Sequence, residues 1–323
     1  VSAINLQRPY LSFFNQTYLG NGGITDYNAL QVRAEHSYSN GFQLMFNYTW
    51  SKATGLVGGS GSSSYAESQA AGVGTTATGG TDFRNLENNR GYLGYDITNR
   101  FVAAATYDLP FGKGKRFNPP NSVVRFLASG WQMATAITLQ SGQPWGPSCG
   151  GMNGRCNIVE GEPVEVPKEL QRWYDGRTAV TLPNGRTITP AAFTYLKWNP
   201  DRFTVPVVQM PNGTFQVEQY YWGSTAKYVN GLRSPGFYHA NLTFIRQFKA
   251  TEKVRLELLA EATNFLNRSN FNPNAVNAGV GAVLIANAAT NTRIGQNSNV
   301  NHGTMSPSFY EPRNISLSLR LRF

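Results

Sequence analysis

Charged residues are scarce in this chain and make up 14% of its 323 residues, against about 25% in a typical soluble domain. No apolar run reaches the roughly 18 residues that a membrane-spanning helix requires, which excludes a helical membrane protein. Histidine occurs three times and cysteine twice, whereas aromatic residues reach 13%. An aromatic content this high argues against a disordered chain. The composition therefore indicates a folded protein with few charges on its surface.

The formal net charge is +10, but the basic residues are scattered, and only Lys113-Gly-Lys115-Arg116 forms a dense run. Nucleic-acid binding needs clustered Lys and Arg, so we expect no nucleic-acid partner. An anionic lipid surface fits this distribution better. The three histidines, His36, His239 and His302, suggest no Ser/His/acid set, and we expect neither an enzyme nor a bound cofactor.

The two cysteines, Cys149 and Cys156, are separated by six residues, three of which are glycine. Such a short, glycine-rich segment closes easily. A metal site would need further ligands nearby, and the sequence offers none. Two free thiols in a reducing compartment are the alternative. We predict a small disulfide in an oxidising compartment.

Alternation of apolar and polar residues is the main structural signal, and the last segment shows it best. Strand side chains point to opposite faces in turn, so this segment has one apolar and one polar face. Its apolar row is Ile315, Leu317, Leu319, Leu321 and Phe323. Similar segments lie at 30–38, 42–51, 101–109, 131–139, 240–248 and 253–263. With a weaker strand near 8–19, about eight strands are predicted, and Pro167–Tyr174 is expected to form a short helical turn.

Short and long connections alternate along the chain. Ser39–Gly41 and Lys249–Glu252 are tight, 143–235 and 266–308 are long, and 110–128 is moderate and basic. Up-and-down outer-membrane barrels show this asymmetry, with short periplasmic turns and long extracellular loops. A soluble β-sandwich also has alternating strands, but it explains neither the loop pattern nor a sequence that stops on an aromatic residue. We therefore predict an all-β fold of antiparallel up-and-down transmembrane β-barrel strands with long extracellular loops.

In this fold the apolar rows face lipid and the polar rows face a wet interior. Arg246 interrupts one apolar row and is expected to reach the headgroups. The charged residues of the polar rows either pair across strands or line a selective lumen, and both interpretations stay open. The Gly/Ser-rich stretch 57–80 is predicted to be a surface loop.

Six motifs, in this order, resemble the C-terminal part of a TonB-dependent receptor barrel of the Oar-like kind. The resemblance covers almost the whole of residues 1–323. The motifs are Tyr27-Asn-Ala-Leu-Gln31, Tyr48-Thr-Trp-Ser-Lys52, Leu109-Pro-Phe-Gly-Lys-Gly114, Gly130-Trp131 with Ser141-Gly-Gln-Pro144, Glu261 with Asn264-Phe-Leu-Asn267 and Asn270-Phe271, and Pro312-Arg313 running to Phe323.

The resemblance implies a 22-stranded barrel with a plug, importing a bulky nutrient (a siderophore, oligosaccharide or peptide) through the bacterial outer membrane. We expect no plug domain in this chain, so TonB would act through a plug that it lacks, and other strands or chains would complete the wall. Outer-membrane lipid, lipopolysaccharide and the barrel-assembly machinery are the further partners implied. The alternative is a non-transport surface barrel that acts in adhesion or in a protein assembly.

The 143–235 link is predicted to be a large extracellular insertion, and its exposed aromatic residues suit stacking on sugar rings or other flat ligands. The alternative is that these rings form the small core that so long a loop needs. Leu319, Leu321 and Phe323 are predicted to form a C-terminal assembly signal. The candidate ligand-contacting residues are Trp173, Tyr174, Trp198, Tyr221 and Trp222.

Overall fold

One antiparallel sheet dominates the structure. The predicted strand near 8–19 and the stretch 57–80 lie outside the residues that the structure describes. The computed structural model describes residues 24–56, 87, 90–149, 155–217, 223–225, 229, 231–249, 254–271, 276–284, 286, 293–294, 296–306 and 312–323.

The long strands of this sheet follow one another in space as they do in sequence, which is the predicted up-and-down topology. The strands of the sheet are β1 (Thr25–Ser39), β2 (Phe42–Leu56), β3 (Arg90–Tyr92), β4 (Asn99–Asp108), β5 (Trp131–Gln140), β15 (Phe237–Lys249), β16 (Arg255–Thr263) and β19 (Asn314–Arg322). Their order in space is β1-β2-β4-β5-β15-β16-β19, and β3 pairs with the end of β2.

The strand register joins all the predicted apolar rows into one face. A single line of paired residues crosses the seven long strands on that face: His36, Leu44, Ala105, Thr135, Leu242, Ala262 and Ile315. The face is open to its surroundings, and Leu317 is 82% exposed. So large an apolar surface marks contact with a membrane or a partner rather than with water.

The two ends of the sheet differ. At what we call the turn end, β1 and β2 are joined by Asn40 and Gly41, which have φ values of 52° and 79°. Two central residues with positive φ make the tight hairpin turn that matches the twist of paired strands. The 110–130 link leaves the same end, where the Asp108 amide bonds to the Gly41 carbonyl. At the opposite end, the loop end, the long links emerge.

The described sheet is not closed. β1 and β19 form its two edges, and no other described strand pairs with their outer sides. Backbone groups on a strand edge cannot stay unpaired in hydrocarbon, because each orphan costs several kcal/mol. The expectation that further strands complete the wall remains a prediction.

Helices are few and short in the described part of the chain. Helix α1 (Ser122–Ala128) follows β4, and two 3₁₀ turns lie at Lys168–Leu170 and Pro200–Arg202. The first 3₁₀ turn falls within the helical turn predicted at Pro167–Tyr174. None of the described helices combines the length and apolarity needed to cross a bilayer.

Short strands build the long links. They form small two- and three-stranded sheets apart from the main sheet. They are β6 (Ser148–Cys149), β7 (Asn157–Ile158), β8 (Trp173–Tyr174), β9 (Val180–Thr181), β10 (Thr187–Ile188), β11 (Thr194–Leu196), β12 (Phe203–Thr204), β13 (Val207–Gln209), β14 (Phe215–Val217), β17 (Gly279–Val280) and β18 (Thr304–Met305).

Candidate functional site

The two long links fold together at the loop end into one unit, which we call the cap (the described residues of 143–235 and 276–306). Strand β11 of the first link pairs with β18 of the second, and β6 pairs with β17. One hydrophobic core holds Trp145 and Trp198 from the first link with Val276 and Met305 from the second. The cap is therefore a folded body rather than a pair of separate loops.

The first link leaves and rejoins the sheet at one narrow place. The Ser234 amide donates to the Gln143 carbonyl at 2.9 Å, and the Trp145 amide donates to the Leu232 carbonyl at 3.0 Å. A Cβ on Gly142 would lie 1.6 Å from the Ser234 carbonyl oxygen. Only glycine permits this close approach of the two backbones, which explains the Ser141-Gly-Gln-Pro144 motif.

An ion pair connects the end of the first link to β2 at the loop end of the sheet. Arg233 pairs with the buried carboxylate of Asp96, and its guanidinium lies 5.0 Å from the centre of the Tyr92 ring. Asp96 also accepts a hydrogen bond from the Ala53 amide of β2. The charge of Asp96 is therefore compensated although its side chain is out of contact with water.

The predicted disulfide between Cys149 and Cys156 is present. The Cα atoms are 5.3 Å apart, within the usual range for disulfides. Both cysteines are buried in the core that contains Trp145 and Trp198. The bond thus anchors the start of the first link to the centre of the cap.

A second core stabilises the outer part of the first link. It consists of Val166, Tyr174, Val180, Leu182, Ile188 and Leu196. Beside it, Arg186 and Asp201 form a buried ion pair. Asp201 also accepts a hydrogen bond from the Asn184 side chain at 2.8 Å. Buried charges are stable only when paired and hydrogen-bonded, so this pair fixes the relative positions of the two segments that carry it.

His302 lies at the centre of the cap, fully buried between aromatic rings. Its ring centroid is 5.8 Å from that of Trp145 and 5.7 Å from that of Phe203, and its Nδ1 lies 3.1 Å from the Gly279 carbonyl oxygen. Burial lowers the pKa of His302 to about 4, because the charged imidazolium would lose its hydration. His302 is therefore neutral at pH 7.

The structure separates the five candidate ligand-contacting aromatics. Trp198 and Tyr174 are 1% and 4% exposed and belong to the two cores, so their predicted role in ligand contact is corrected to a packing role. Tyr221 and Trp222 lie outside the described residues. Among the three described candidates, Trp173 is the one that presents a ring to solvent, with 44% of its surface exposed.

Trp173 is one side of an aromatic platform. Its ring stacks on Phe271, with centroids 5.9 Å apart and planes 23° apart, and meets Tyr195 edge-on at 5.6 Å. Phe271 belongs to the other long link, so its contact with Trp173 could not be predicted from the local sequence. We call Trp173, Tyr195 and Phe271 the platform.

Asn270 places Phe271. Its side chain accepts a hydrogen bond from the Tyr238 amide and donates one to the Tyr238 carbonyl, both at 2.9 Å. In this way it pairs with β15 as a neighbouring backbone would. In the same motif Asn264 and Asn267 adopt positive φ values of 46° and 51°, a conformation that Asn tolerates better than most residues. These motif residues therefore shape the turn after β16.

The polar face of the sheet contains a paired carboxylate. Glu257 is largely buried, accepts a hydrogen bond from Gln247 at 2.9 Å, and lies 3.5 Å from Arg320 of the next strand. Arg33 and Glu35 pair at 2.8 Å along one exposed strand. At Glu257 the observed contacts favour cross-strand pairing over a free lumen charge.

The predicted assembly-signal residues lie on the edge strand β19 or just after it. Leu319, Leu321 and Phe323 are all exposed, Phe323 almost completely. No described strand covers their outer side. Their role as an assembly signal stays a prediction.

An up-and-down antiparallel sheet with one continuous apolar face defines the wall of a transmembrane β-barrel. The sequence model of the outer membrane beta barrel domain family matches residues 1–314, and the chain belongs to that family. It is accordingly a protein of the bacterial outer membrane. Neither a curated protein nor a solved structure matches the chain.

Proposed function

We propose that this chain forms part of the wall and the ligand-receiving cap of an importer of the TonB-dependent receptor kind. The observation that carries the proposal is the platform, because a partly exposed Trp173 is held against Phe271 and Tyr195 at the loop end. Aromatic faces present large apolar area at a fixed angle and suit flat or ring-shaped ligands. The six motifs shared with that receptor family support the assignment.

The open sheet is consistent with a wide importer. A closed eight-stranded barrel has an interior filled by its own side chains, which leaves no path for a siderophore, oligosaccharide or peptide. Seven long described strands with two unpaired edges instead fit a sector of a larger wall. In this proposal other strands complete the barrel, and a plug outside this chain contacts TonB.

The further proposed partners are outer-membrane lipid, lipopolysaccharide and the barrel-assembly machinery. We propose that the chain catalyses no reaction. Within the described ranges, no group of three or more His, Cys, Asp and Glu side chains is placed to hold a metal ion. The alternative function is a non-transport surface barrel whose cap contacts other proteins in adhesion or assembly.

Uptake by cells that carry the protein in their outer membrane tests the proposal. The probes are a fluorescent linear oligosaccharide, a ferric hydroxamate and a labelled peptide, each with and without a protonophore. We expect saturable binding of at least one probe and uptake that the protonophore abolishes. Binding without protonophore-sensitive uptake would favour the surface-barrel alternative, and failure of every probe to bind would contradict capture by the cap.

A substitution pair locates the binding. Trp173→Ala removes the exposed ring of the platform, and we expect a roughly three- to tenfold loss of affinity, since a ring-stacking contact contributes about 0.5–1.5 kcal/mol. Trp50→Ala is the matched control, because Trp50 is similarly exposed but lies on the apolar face of β2. Equal losses in both variants, at equal surface abundance, would rule out the platform as the binding site.

A further inference from the structure

The link between β4 and β5 (110–130) has a composition unlike the rest of the turn end. It contains Lys113, Lys115, Arg116 and Arg125 and has no acidic residue. Its first half is a compact turn in which Phe111 and Phe117 pair, with ring centroids 5.6 Å apart. Its second half is helix α1. We call this whole link the basic link.

Arg246 holds α1 against the apolar face of the sheet. Its guanidinium donates to the carbonyl oxygens of Phe126 and Leu127 at the end of the helix, and the Trp131 indole also donates to Leu127 at 2.9 Å. The last carbonyls of a helix have no partner within it and carry partial negative charge. Arg246 is thereby 96% buried (4% exposed) on β15, and its expected approach to the headgroups is corrected to this helix contact.

Aromatic rings complete the cage around this cation. The Arg246 guanidinium lies 4.1 Å from the centre of the Phe248 ring and 5.0 Å from that of Phe126. Because Phe248 belongs to the lipid-facing row of β15, α1 lies on the lipid side of the wall. The helix is therefore fixed on the apolar side of the sheet, beside the first residue of β5.

Four apolar side chains of α1 keep about half or more of their surface exposed among the described residues. Val123, Val124, Phe126 and Leu127 are 49–64% exposed. Between the basic link and the sheet runs an apolar cleft, lined by Leu109, Phe111, Ala128, Trp131, Phe244 and Ala260. Phe244 and Ala260 pair on the lipid-facing side, so this cleft opens towards hydrocarbon.

Three cations of the basic link are available to a ligand. Arg125 is engaged with the carbonyls of Pro119 and Pro120, but no ion pair with a described residue engages Lys113, Lys115 or Arg116. The nearby carboxylate of Asp108 accepts hydrogen bonds from Tyr38 and Gln132. Free positive charge thus borders an apolar cleft at the turn end.

We propose that the basic link is a binding site for an anionic phospholipid of the inner leaflet of the outer membrane. Short turns of outer-membrane barrels face the periplasm, which places the turn end at that leaflet. One acyl chain lies in the apolar cleft beside α1, and the phosphate meets Lys113, Lys115 and Arg116. Clusters of Lys and Arg next to a membrane-embedded element are typical of sites for anionic headgroups.

The test uses the protein purified from outer membranes in mild detergent. It is offered equal amounts of phosphatidylglycerol and phosphatidylethanolamine with the same acyl chains, and retained lipid is counted by native mass spectrometry. We expect the wild-type protein to retain phosphatidylglycerol preferentially. The triple variant Lys113→Gln, Lys115→Gln, Arg116→Gln is expected to lose about tenfold or more of this preference.

Two further variants make the result specific. Lys168→Gln, Arg177→Gln, Arg293→Gln removes three exposed cations from the cap and is expected to leave the preference unchanged. Phe111→Ser with Ala128→Ser places two hydroxyl groups in the apolar cleft and is expected to lower retention of both lipids without changing their ratio. Heat-modifiable gel mobility confirms that each variant is folded.

Three outcomes would overturn the proposal. They are a wild-type protein without lipid preference, equal effects of the two triple variants, and unchanged lipid retention when the apolar lining of the cleft is made polar.

Discussion

Burial determines how the ionisable residues of the cap behave. Arg186 and Asp201 form a buried ion pair in which each charge compensates the other. His302 has no acidic partner within the described residues, and it is neutral at pH 7. When burial lowers the pKa of a histidine, the unfolded chain binds the proton more tightly than the folded protein does. Protonation therefore lowers the free energy of unfolding. The stability of the cap is therefore expected to depend on pH through His302.

The cap is predicted to become less stable at acid pH because of His302. The pKa of His302 falls from 6.5 to about 4 on folding. Above pH 6.5 the histidine is neutral in both the folded and the unfolded state, and the cap has its full stability. Stability is lost as the pH falls from 6.5 towards 4, because only the unfolded chain is then protonated. Between pH 7.5 and pH 5 we expect a loss of about 2 kcal/mol. Urea titration of cap opening, followed by tryptophan fluorescence, measures it.

His302→Leu is the control for this prediction. It removes the titrating group, and we expect the cap to be weaker at every pH but nearly independent of pH between 7.5 and 5. An unchanged pH dependence in this variant would show that other groups cause it.

The strands are the elements that the sequence predicts best. Period-two alternation identifies each of the seven long strands without knowledge of its neighbours. One apolar face per strand leaves few registers, because a one-residue slip would turn every side chain to the wrong side. The separate rows therefore predict that His36 and Ile315 lie on the same face, whereas the partner of each residue on the next strand comes from the structure. Local turn chemistry, such as Asn40-Gly41, is equally legible.

A pair of charge substitutions on β19 tests the assignment of its faces. Leu319 pairs with Leu258 on the apolar face, and Ser318 pairs with Leu259 on the other. Arginine on the lipid face near the midplane costs about 2–4 kcal/mol. We expect Leu319→Arg to impair membrane assembly and Ser318→Arg to have a milder effect. Heat-modifiable gel mobility compares the two, and equal damage would contradict the assigned faces.

Helix α1 could not be predicted from the sequence, for physical reasons. Its seven residues are apolar on most sides, so they carry no helical periodicity, and the local signal is Asn121 after Pro119-Pro120. The Asn121 side chain accepts hydrogen bonds from the amides of Val123 and Val124. The residue that secures the other end of the helix, Arg246, is about 120 positions away in sequence.

The cap shows the same limit. Composition reveals that 143–235 is rich in aromatic residues, but not which of them are buried. Trp198 is buried against residues of the second long link, and Tyr174 is buried against other residues of the first link. Trp173 contacts Phe271 of the second link and is still partly exposed. Such long-range pairing leaves no local signature. The disulfide was predictable since its closure depends on a short segment alone.

At the scale of the whole molecule, wall and cap use different driving forces. The wall exposes its apolar face to lipid and is held by backbone pairing between strands, whereas the cap buries its apolar residues in two cores and adds a disulfide. Loss of the cap interactions is therefore expected to leave the wall intact.

Removal of the disulfide tests this independence. Cys149→Ser with Cys156→Ser frees a short loop, and we expect the cap to lose about 2–3 kcal/mol from the regained chain entropy. Limited proteolysis is expected to cut the cap sooner, while heat-modifiable mobility of the barrel stays as in the wild type. Loss of that mobility shift would contradict the separation of cap and wall.

The pairing of β5 with β15 has a consequence for how such proteins diversify. Gln140 lies opposite Phe237, so the two strands are neighbours whatever the intervening segment contains. Natural selection can rewrite that segment, lengthening it or exchanging its recognition residues, without disturbing the hydrogen-bonded ladder below. One inherited sheet can in this way carry loop-end segments of different length and sequence.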